Sequence, residues 1–470
     1  MSKRIGFWLG PVTFFLLYWG PSWGSMPPMA QATLAATLWV AIWWMTEAIP
    51  LAATSLLPLV LLPLTGVLSS SQTASAYGDS AVFLYLGGFI LALGMEAWGL
   101  HRRIALGIIA RIGGNYRTLV LGFMMATAFL SMWISNTATT LMMLPIAMGV
   151  IAHLQKSLSV DMKILPKALL LGIAYSASIG GIATPIGSPT NAILLGATRS
   201  LLQIDVTFTD WVMVGLPISV LLLFIAWWLL VKWVYPLQNR KNKEIEHTIE
   251  EEKVALGSVS KEEKRVMMVF IIVAAMWIFR GPLVAMGWTS LNDTAIGIMG
   301  ALALFLIPSG AKGEKLLRWE ATQKLPWGVL LLFGGGFAIA QAFQVSGLAA
   351  HVAGSLESLQ GLPMLVALLL IALLVNFLTE ITSNVATATL MMPILVSLGL
   401  ALSWPPLPLL YTACIAASCA FMLPVATPPN AIVFGSGQVR VGDMVRAGFW
   451  LNIISTILIA ALVYAMNFMQ

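Results

Sequence analysis

Charged side chains are scarce in this chain. Only 9% of its 470 residues are Asp, Glu, Lys or Arg, and 59% are hydrophobic, which excludes a domain that folds alone in water. Apolar runs of about 17 to 25 residues recur along the sequence, and each is long enough to cross a bilayer as a helix. The alternating polarity typical of barrel strands is missing. The sequence therefore predicts an all-α polytopic membrane protein.

Side chains typical of catalysis and metal binding are also few. The four histidines show no ligand spacing, and the two cysteines, Cys414 and Cys419, lie in one apolar span as small packing residues. No nucleophile-base pair or phosphate loop is present. The net charge of +6 comes from basic residues spread over short loops, which favours cytoplasmic anchoring over nucleic-acid binding. We therefore expect neither an enzyme nor a cofactor.

The apolar runs predict the topology. Two of them, about 118–154 and 362–402, are interrupted by Ser, Asn and Thr, and we interpret them as re-entrant helical hairpins. With a cytoplasmic N-terminus and a retained first helix, all but two of the 25 lysines and arginines lie inside; the exceptions are Arg199 and Arg280. The other runs predict eleven transmembrane helices, near 5–19, 31–48, 51–66, 81–100, 165–198, 211–235, 265–284, 292–308, 326–347, 407–436 and 444–468.

The two halves of the chain resemble each other at a constant offset. Gly87 matches Gly335, and Pro145 matches Pro393, both 248 residues further on. Five predicted spans separate the two hairpins, so the second copy would be inverted, as in many secondary transporters. The predicted units are an N-terminal helix (1–30), a first repeat (31–236), a charged cytoplasmic linker or surface helix (237–264) and a second repeat (265–470).

A polar motif interrupts each predicted hairpin. Ser135, Asn136 and Thr137 form the first copy, and Ser383, Asn384 and Val385 form the second; a hydroxyl stands four residues before each serine. Helix capping explains one polar residue at each tip, whereas hydroxyls, amide oxygens and free carbonyls together can bind a small hard cation. Both interpretations stay open, and the repeated upstream hydroxyl favours the cation.

A proline-broken span follows each hairpin, in the sequences ATPIGSPTNAI (183–193) and ATPPNAI (426–432). Thr184 and Thr427 are aligned here at an offset of 243, and Asn191 and Asn430 at an offset of 239, so the second broken segment is shorter. Proline unwinds a helix and frees carbonyls and amides, although a simple kink is the alternative. Because this region has no basic residue, an anion would depend on helix N-termini, hydroxyls and co-bound sodium.

Three carboxylates lie within or near predicted spans: Glu47, Glu96 and Glu380. Carboxylates inside a membrane are usually functional. All three are close to inferred helix ends, however, so a structural hydrogen-bonding role and a role in proton coupling are equally open.

These motifs resemble the divalent anion/sodium symporter family. The resemblance covers nearly the whole chain and rests on WWMTEAIPLAATSLLPL (43–59), the paired Ser-Asn motifs, TPIGSPTNAI (184–193) and ATPPNAIVFGSG (426–437). It implies a homodimer in the plasma membrane, with a scaffold domain and a transport domain that moves as an elevator. Sodium-coupled symport of C4-dicarboxylates is the expected function. A dicarboxylate or citrate exchanger, a sulfate symporter and, less favoured, an anion channel are the alternatives.

The same resemblance implies the site residues. One sodium ion would be bound by Ser131, Ser135, Asn136, Ala183 and Gly187. The second would be bound by Thr379, Ser383, Asn384, Ala426 and Pro428. The substrate would contact Ser135, Asn136, Thr137, Ser383, Asn384, Val385, Thr427 and Pro428. Val385 replaces the threonine that some members have at this position.

Overall fold

A computed structural model describes residues 2–21, 26–154, 161–239, 243–310, 314–355 and 361–467. Within these ranges the regular structure is helical, and the β-type pairing is limited to a single bridge between Pro308 and Lys315. The predicted all-α fold class is therefore confirmed.

The helices follow each other with short connections. In the first half they are α1 (Ser2–Tyr18), α2 (Pro28–Thr46), α3 (Leu51–Thr54), α4 (Leu57–Leu64), α5 (Ser70–Tyr77), α6 (Ser80–Ala97), α7 (Leu100–Ile112), α8 (Tyr116–Ser131), α9 (Asn136–Leu154), α10 (Asp161–Ile182), α11 (Pro189–Leu202) and α12 (Phe208–Trp228), which a π-helical segment (Leu229–Val234) prolongs. The second half contains α13 (Lys243–Val254), α14 (Lys261–Ile278), α15 (Arg280–Ala285), α16 (Asp293–Leu306), a 3-10 turn (Trp319–Lys324), α17 (Trp327–Val345), α18 (Leu348–Ser355), α19 (Met364–Thr379), α20 (Asn384–Leu402), α21 (Pro406–Ala417), α22 (Pro428–Gly435) and α23 (Val441–Asn467).

Seven helical stretches in the described part are long and apolar enough to cross a membrane, so this is a multi-pass membrane protein. They are Ser70–Ala97, Asn136–Leu154, Ile164–Ile182, Phe208–Val234, Trp327–Val345, Asn384–Leu402 and Val441–Met466. The predicted span at 51–66 is a shorter apolar helical stretch, Leu51–Leu64, in which a turn at 55–56 separates α3 from α4. The total of eleven crossings stays a prediction.

The helix ends repeat along the chain. The first hairpin, α8 and α9, covers 116–131 and 136–154, and the second, α19 and α20, covers 364–379 and 384–402, each end shifted by 248. The α12 stretch through its π-helical segment (208–234) and α23 (441–467) both span 27 residues. The duplication thus extends to the lengths of the helices, and each Ser-Asn motif lies at a break between two of them.

The helices before the two proline-broken segments occupy central positions. α10 packs against α8, α9, α12 and α22, while α21 packs against α11, α19, α20 and α23. Almost every residue of α10 from Leu165 onward is buried. Each of these helices therefore supports one hairpin and one helix of the other broken segment, which brings the polar breaks of both copies together.

The charged linker is docked and not free. Its helix α13 packs against α7, where Ile249 is buried and Arg102 Nη2 lies 2.9 Å from Glu252 Oε2. Arg103 Nη1 donates to the Gly257 carbonyl at 3.0 Å, and Arg103 Nε donates to Glu263 Oε1 at 2.7 Å. The α7 helix itself was not predicted. The described part of the linker thus contains a helix, as predicted, and two arginines connect it to α7, the helix before the first hairpin.

The two arginines that the topology leaves outside lie in one ionic cluster. Arg280 Nη1 is 3.2 Å from Asp293 Oδ2, and Arg199 Nη1 is 3.6 Å from Asp79 Oδ1. Asp205 contacts both arginines. Asp293 also accepts the backbone amide of Phe208 at 2.7 Å. Each of these arginines therefore has acidic partners, which is consistent with their being the two exceptions in the predicted topology.

Removing one partner of the buried Arg280–Asp293 pair should destabilise the protein. The side chains are only 18% and 10% exposed, and breaking such a pair costs about 3 to 5 kcal/mol. We expect Arg280→Met to lower the apparent melting temperature in detergent. Adding Asp293→Asn should recover part of the loss.

Lys3→Met provides the control, because the Lys3–Glu47 pair is 67% and 57% exposed and such pairs contribute about 0 to 1 kcal/mol. Equal melting temperatures for Arg280→Met and Lys3→Met would contradict the prediction.

Candidate functional site

The first half-site consists of Ser131, Asn136 and the carbonyls of Ala177 and Gly187. Ser131 ends α8 and is fully buried, and its hydroxyl donates to the Ala177 carbonyl at 2.7 Å. The Asn136 side chain is surrounded by acceptors, so we assign its amide nitrogen to this side, 2.6 Å from Ser131 Oγ, 3.1 Å from Ala177 O and 3.2 Å from Gly187 O. One hydroxyl and one amide thus bind carbonyls from α10 and from the following break.

The second half-site consists of Thr379, Asn384 and the Ala417 carbonyl. Thr379 ends α19, and its Oγ1 lies 2.6 Å from Asn384 Oδ1 and 3.1 Å from Ala417 O. Thr379 and Asn384 correspond to Ser131 and Asn136 at an offset of 248, and Ala417 takes the role of Ala177 at an offset of 240. The upstream hydroxyls that capping did not explain therefore bond to the motif asparagine in both copies.

The two breaks that follow, residues 183–188 and 418–427, contain the same pattern of hydrogen bonds. Asn191 Nδ2 donates to the carbonyls of Gly181 and Thr184 at 2.8 and 2.7 Å. Asn430 Nδ2 donates to the carbonyls of Ala420 and Leu423 at 3.2 and 3.0 Å. In each copy an asparagine in the first turn of a helix therefore binds carbonyls at the break that precedes it.

These bonds correct the alignment of the two breaks. Asn191, Gly181 and Thr184 correspond to Asn430, Ala420 and Leu423 at a single offset of 239. The predicted pairing of Asn191 with Asn430 at 239 is therefore confirmed, and the pairing of Thr184 with Thr427 at 243 is wrong. Ser188 and Thr427 are the N-cap residues of α11 and α22, so they are the true counterparts.

The same offset locates the backbone positions expected to bind cations. Gly187 corresponds to Ala426, whereas the counterpart of Ala183 is Met422 and that of Pro428 is Pro189. Ala183 and Ala426 are buried, whereas Pro428 is exposed at the start of α22. The structure thus brings Ala183, Gly187 and Ala426 to the breaks and leaves Pro428 at a helix start.

The remaining motif residues lie at the hairpin tips. Ser135 Oγ accepts the Ala138 amide at 3.2 Å, which is a cap, while Ser383 makes no capping bond through its side chain. Thr137 and Val385 are half-buried in the first turns of α9 and α20. The tips therefore differ: capping accounts for the first serine and not for the second.

Close backbone approach depends on glycine in the first half-site. A Cβ at Gly181 would lie 2.7 Å from the Asn136 amide, and one at Gly187 would lie 2.6 Å from the Gly181 carbonyl. Neither distance is possible for real atoms without a shift. These two glycines therefore allow α10, the first break and the motif asparagine to meet.

A hydroxyl cluster joins the two copies and was not predicted. Thr190 Oγ1 lies 2.7 Å from Ser418 Oγ and 2.9 Å from Ser188 Oγ, and Cys414 Sγ donates to the Thr190 carbonyl at 3.2 Å. Tyr85 donates to the carbonyl of Ser188. The two breaks are thus in direct contact. The only sequence signal was the hydroxyls within SPTN and the position of Ser418 beside a helix end.

The three carboxylates have different environments. Glu47 is a left-handed residue after α2, paired with Lys3 at 3.3 Å and largely exposed. Glu96 is half-buried near the end of α6. Glu380 is only 3% exposed and lies directly after Thr379. Of the three, Glu380 is therefore the one that contacts the candidate site.

Comparison with known proteins identifies the family. The profile of the family described as sodium:sulfate symporter transmembrane region matches residues 9–469. The chain belongs to this family. Members of the sodium:sulfate symporter family are transporters, so the protein is a transporter and not an enzyme.

Relatives within the family are similar over nearly their whole length. The chain is 42% identical to the sodium-dependent dicarboxylate transporter SdcS of Staphylococcus saprophyticus, covering 99% of this chain and 91% of the relative. It is 44% identical to SdcS of Staphylococcus aureus, covering 98% and 91%. The suspected family resemblance is therefore confirmed.

Two solved structures share the fold. MtrF of Neisseria gonorrhoeae superposes with a TM-score of 0.58 at 14% identity, covering 96% of each chain. The YdaH transporter of Alcanivorax borkumensis gives 0.54 at 15% identity, covering 83% of this chain and 86% of that chain. At these identities the likeness concerns the fold alone.

We predict that Gly181→Ala abolishes transport. The added methyl group would lie only 2.7 Å from the Asn136 amide and 3.0 Å from the Gly187 carbonyl, and would displace the amide from its carbonyl partners. Transport by the purified variant in liposomes measures this effect, after gel filtration confirms a folded protein.

Gly149→Ala is the matched control on the first hairpin, because a Cβ there meets nothing within 4 Å and alanine favours a helix by about 1 kcal/mol. Wild-type transport by Gly181→Ala would show that the close approach is dispensable.

Proposed function

We propose that this protein is a sodium-coupled symporter of C4-dicarboxylates such as succinate, malate and fumarate. The observation that carries the proposal is the identity of 42% and 44% to transporters named sodium-dependent dicarboxylate transporter, over 99% and 98% of this chain. We assign sodium binding to the two half-sites and substrate binding to the hairpin tips.

Sodium binding is assigned to the two half-sites. Sodium prefers oxygen ligands without strict geometry, and hydroxyls, amide oxygens and carbonyls at a helix break provide them. In the first half-site these come from Ser131, Ser135, Asn136 and the carbonyls at Ala183 and Gly187. In the second they come from the residues Thr379, Ser383, Asn384, Ala426 and Pro428.

The substrate anion is assigned to the space between the hairpin tips. α9 and α20 begin at Asn136 and Asn384, and α11 and α22 begin just after the two breaks, so four helices begin at the motifs and breaks. Their positive ends favour carboxylates, each by about 0.3 to 2 kcal/mol. The proposed contacts are Ser135, Asn136, Thr137, Ser383, Asn384, Val385, Thr427 and Pro428.

The coupling of substrate binding to sodium binding follows from the negative charge of the substrate. A dianion brings two negative charges into a region whose described contacts include no lysine or arginine, whereas bound sodium ions supply the compensating charge. Substrate would then bind well only with sodium, and the sodium gradient would drive accumulation. This is the reason to favour symport over exchange.

The movement that we propose is an elevator. The two inverted repeats would place both hairpins and both breaks in one transport domain, which moves against a scaffold in a homodimer. The protein would lie in the plasma membrane with its N-terminus in the cytoplasm. The mutual packing of α10 with α22 and of α21 with α11 supports a single moving unit.

Labelled succinate uptake into proteoliposomes tests the proposal. We expect an inward sodium gradient to raise uptake at least about tenfold over potassium, because an uncompensated dianion binds poorly in a low-dielectric site. Unlabelled malate and fumarate should compete, and citrate and sulfate should not.

Uptake that is equal without sodium but requires internal dicarboxylate would make the protein an exchanger. Competition by sulfate alone would assign it the sulfate symport after which the family is described.

The substitution Val385→Thr tests the substrate contacts. Thr has nearly the shape of Val and adds one hydroxyl at the tip of the second hairpin, so we expect a change of about twofold to tenfold in the ratio of citrate to succinate inhibition. The measurement is competition against labelled succinate.

Val366→Thr is the control, because Val366 lies on α19 of the same hairpin and is 38% exposed. An unchanged selectivity profile in Val385→Thr would remove this position from the substrate contacts.

A further inference from the structure

Glu380 is a buried carboxylate that accepts four hydrogen bonds. Its oxygens accept the backbone amides of Phe421, Met422 and Leu423 at 2.6, 2.8 and 3.0 Å, and Asn452 Nδ2 at 2.8 Å. Three successive amides that point at one anion form a nest, a recurrent anion-binding arrangement of backbone. Here the anion is part of the chain.

The nest lies in the second break, where α21 has ended. Asn430 binds the carbonyls of Ala420 and Leu423 in the same segment. The unwound turn is therefore held from both sides, by Glu380 through its amides and by Asn430 through its carbonyls. Without Glu380, three buried amides would lose their acceptor, at a cost for each that exceeds the value of an ordinary hydrogen bond.

Glu380 also stands directly beside the second half-site. Its chain neighbour Thr379 contacts Asn384 Oδ1 at 2.6 Å and the Ala417 carbonyl at 3.1 Å. The ion pairs of the described residues do not include Glu380, and its partners are neutral N–H donors. Its negative charge is therefore hydrogen-bonded but not neutralised, and it acts on any cation bound next to it.

The first copy has no equivalent carboxylate. The residue at the corresponding position, 248 earlier, is Met132, whose backbone carbonyl accepts the Thr184 hydroxyl. The counterpart of Asn452, at the offset that relates α23 to α12, is Ser219, which bonds to the Ile179 carbonyl at 2.7 Å. The two half-sites thus share their hydroxyl-amide geometry and differ in charge.

We infer that Glu380 is a positioning residue for the second half-site: it fixes the carbonyls of the second break and supplies the fixed negative charge that sets the sodium affinity of that half-site. The inference rests on the proposed sodium coupling. It assigns different sodium affinities to two half-sites of similar shape, with the tighter one on the side of Glu380.

The test measures sodium binding directly. The melting temperature of the purified full chain is followed against sodium concentration, without substrate and with choline as the replacement cation, and the sodium half-saturation of uptake is measured in proteoliposomes. We expect Glu380→Gln to raise both sodium midpoints at least about tenfold. Glu380→Asp keeps the charge but withdraws it by one methylene, so its midpoints should lie between the two.

Glu96→Gln is the matched control, because it makes the same change at a half-buried carboxylate near the end of α6, away from both breaks. Its sodium midpoints should equal those of the wild type. Glu380→Gln with wild-type midpoints, or with a lower maximal rate and an unchanged sodium midpoint, would overturn the inference and leave Glu380 a purely structural role.

Two further outcomes are separable. If the wild type itself shows neither stabilisation nor uptake that depends on sodium, the proposed sodium coupling fails. If Glu380→Gln is not monodisperse, Asn452→Ala decides, because it removes one of the four donors and leaves the charge. A sodium midpoint raised about twofold to threefold supports the inference, and an unchanged midpoint overturns it.

Discussion

The structure depends on one constraint: helices that end inside the membrane must have their free backbone groups bound by other parts of the protein. Four such ends lie at the candidate site, those of α8, α10, α19 and α21. Side chains bind backbone carbonyls at these ends. Asn191 and Asn430 bind carbonyls at the two breaks. Ser131 and Thr379, the last residues of α8 and α19, donate to carbonyls of α10 and α21. The Thr184 hydroxyl donates to the Met132 carbonyl just after α8. At the candidate site of this apolar chain, polar side chains are concentrated where the helices are interrupted.

Both copies bind these free backbone groups with hydroxyl and amide side chains, but only the second copy adds a carboxylate, Glu380. Hydroxyl, amide and carbonyl recur at offsets of 248 and 239 in the hairpins and breaks, which shows that one geometry was duplicated. In the second copy the Glu380 carboxylate accepts three backbone amides of the break, whereas the first copy has Met132 at the corresponding position. A shared scaffold with a local electrostatic difference is how two sites of common origin come to act differently.

Much of this arrangement could be predicted from the sequence. Interruptions of apolar runs indicated where α8 and α19 end, because polar tripeptides are costly in lipid, and the upstream hydroxyls indicated more than capping. The pairing of the breaks could be predicted only at the asparagines, where the offset of 239 is correct. Threonines at 184 and 427 match as letters, whereas the hydrogen bonds of Asn191 and Asn430 relate Thr184 to Leu423. Spacing also cannot reveal which amides Glu380 accepts, nor that Ser418 meets Thr190.

The hydroxyl contact between Thr190 and Ser418, at 2.7 Å, links residues that lie 228 positions apart and belong to different copies. Because this contact is buried, substituting one of the two residues leaves the other hydroxyl without this partner and destabilises the protein unless both are substituted together. The ancestral duplicates can therefore no longer diverge independently at this point. Chimaeras that join the first half of one family member to the second half of another should work only when this pair is inherited together, which makes the junction between the copies a boundary for recombination.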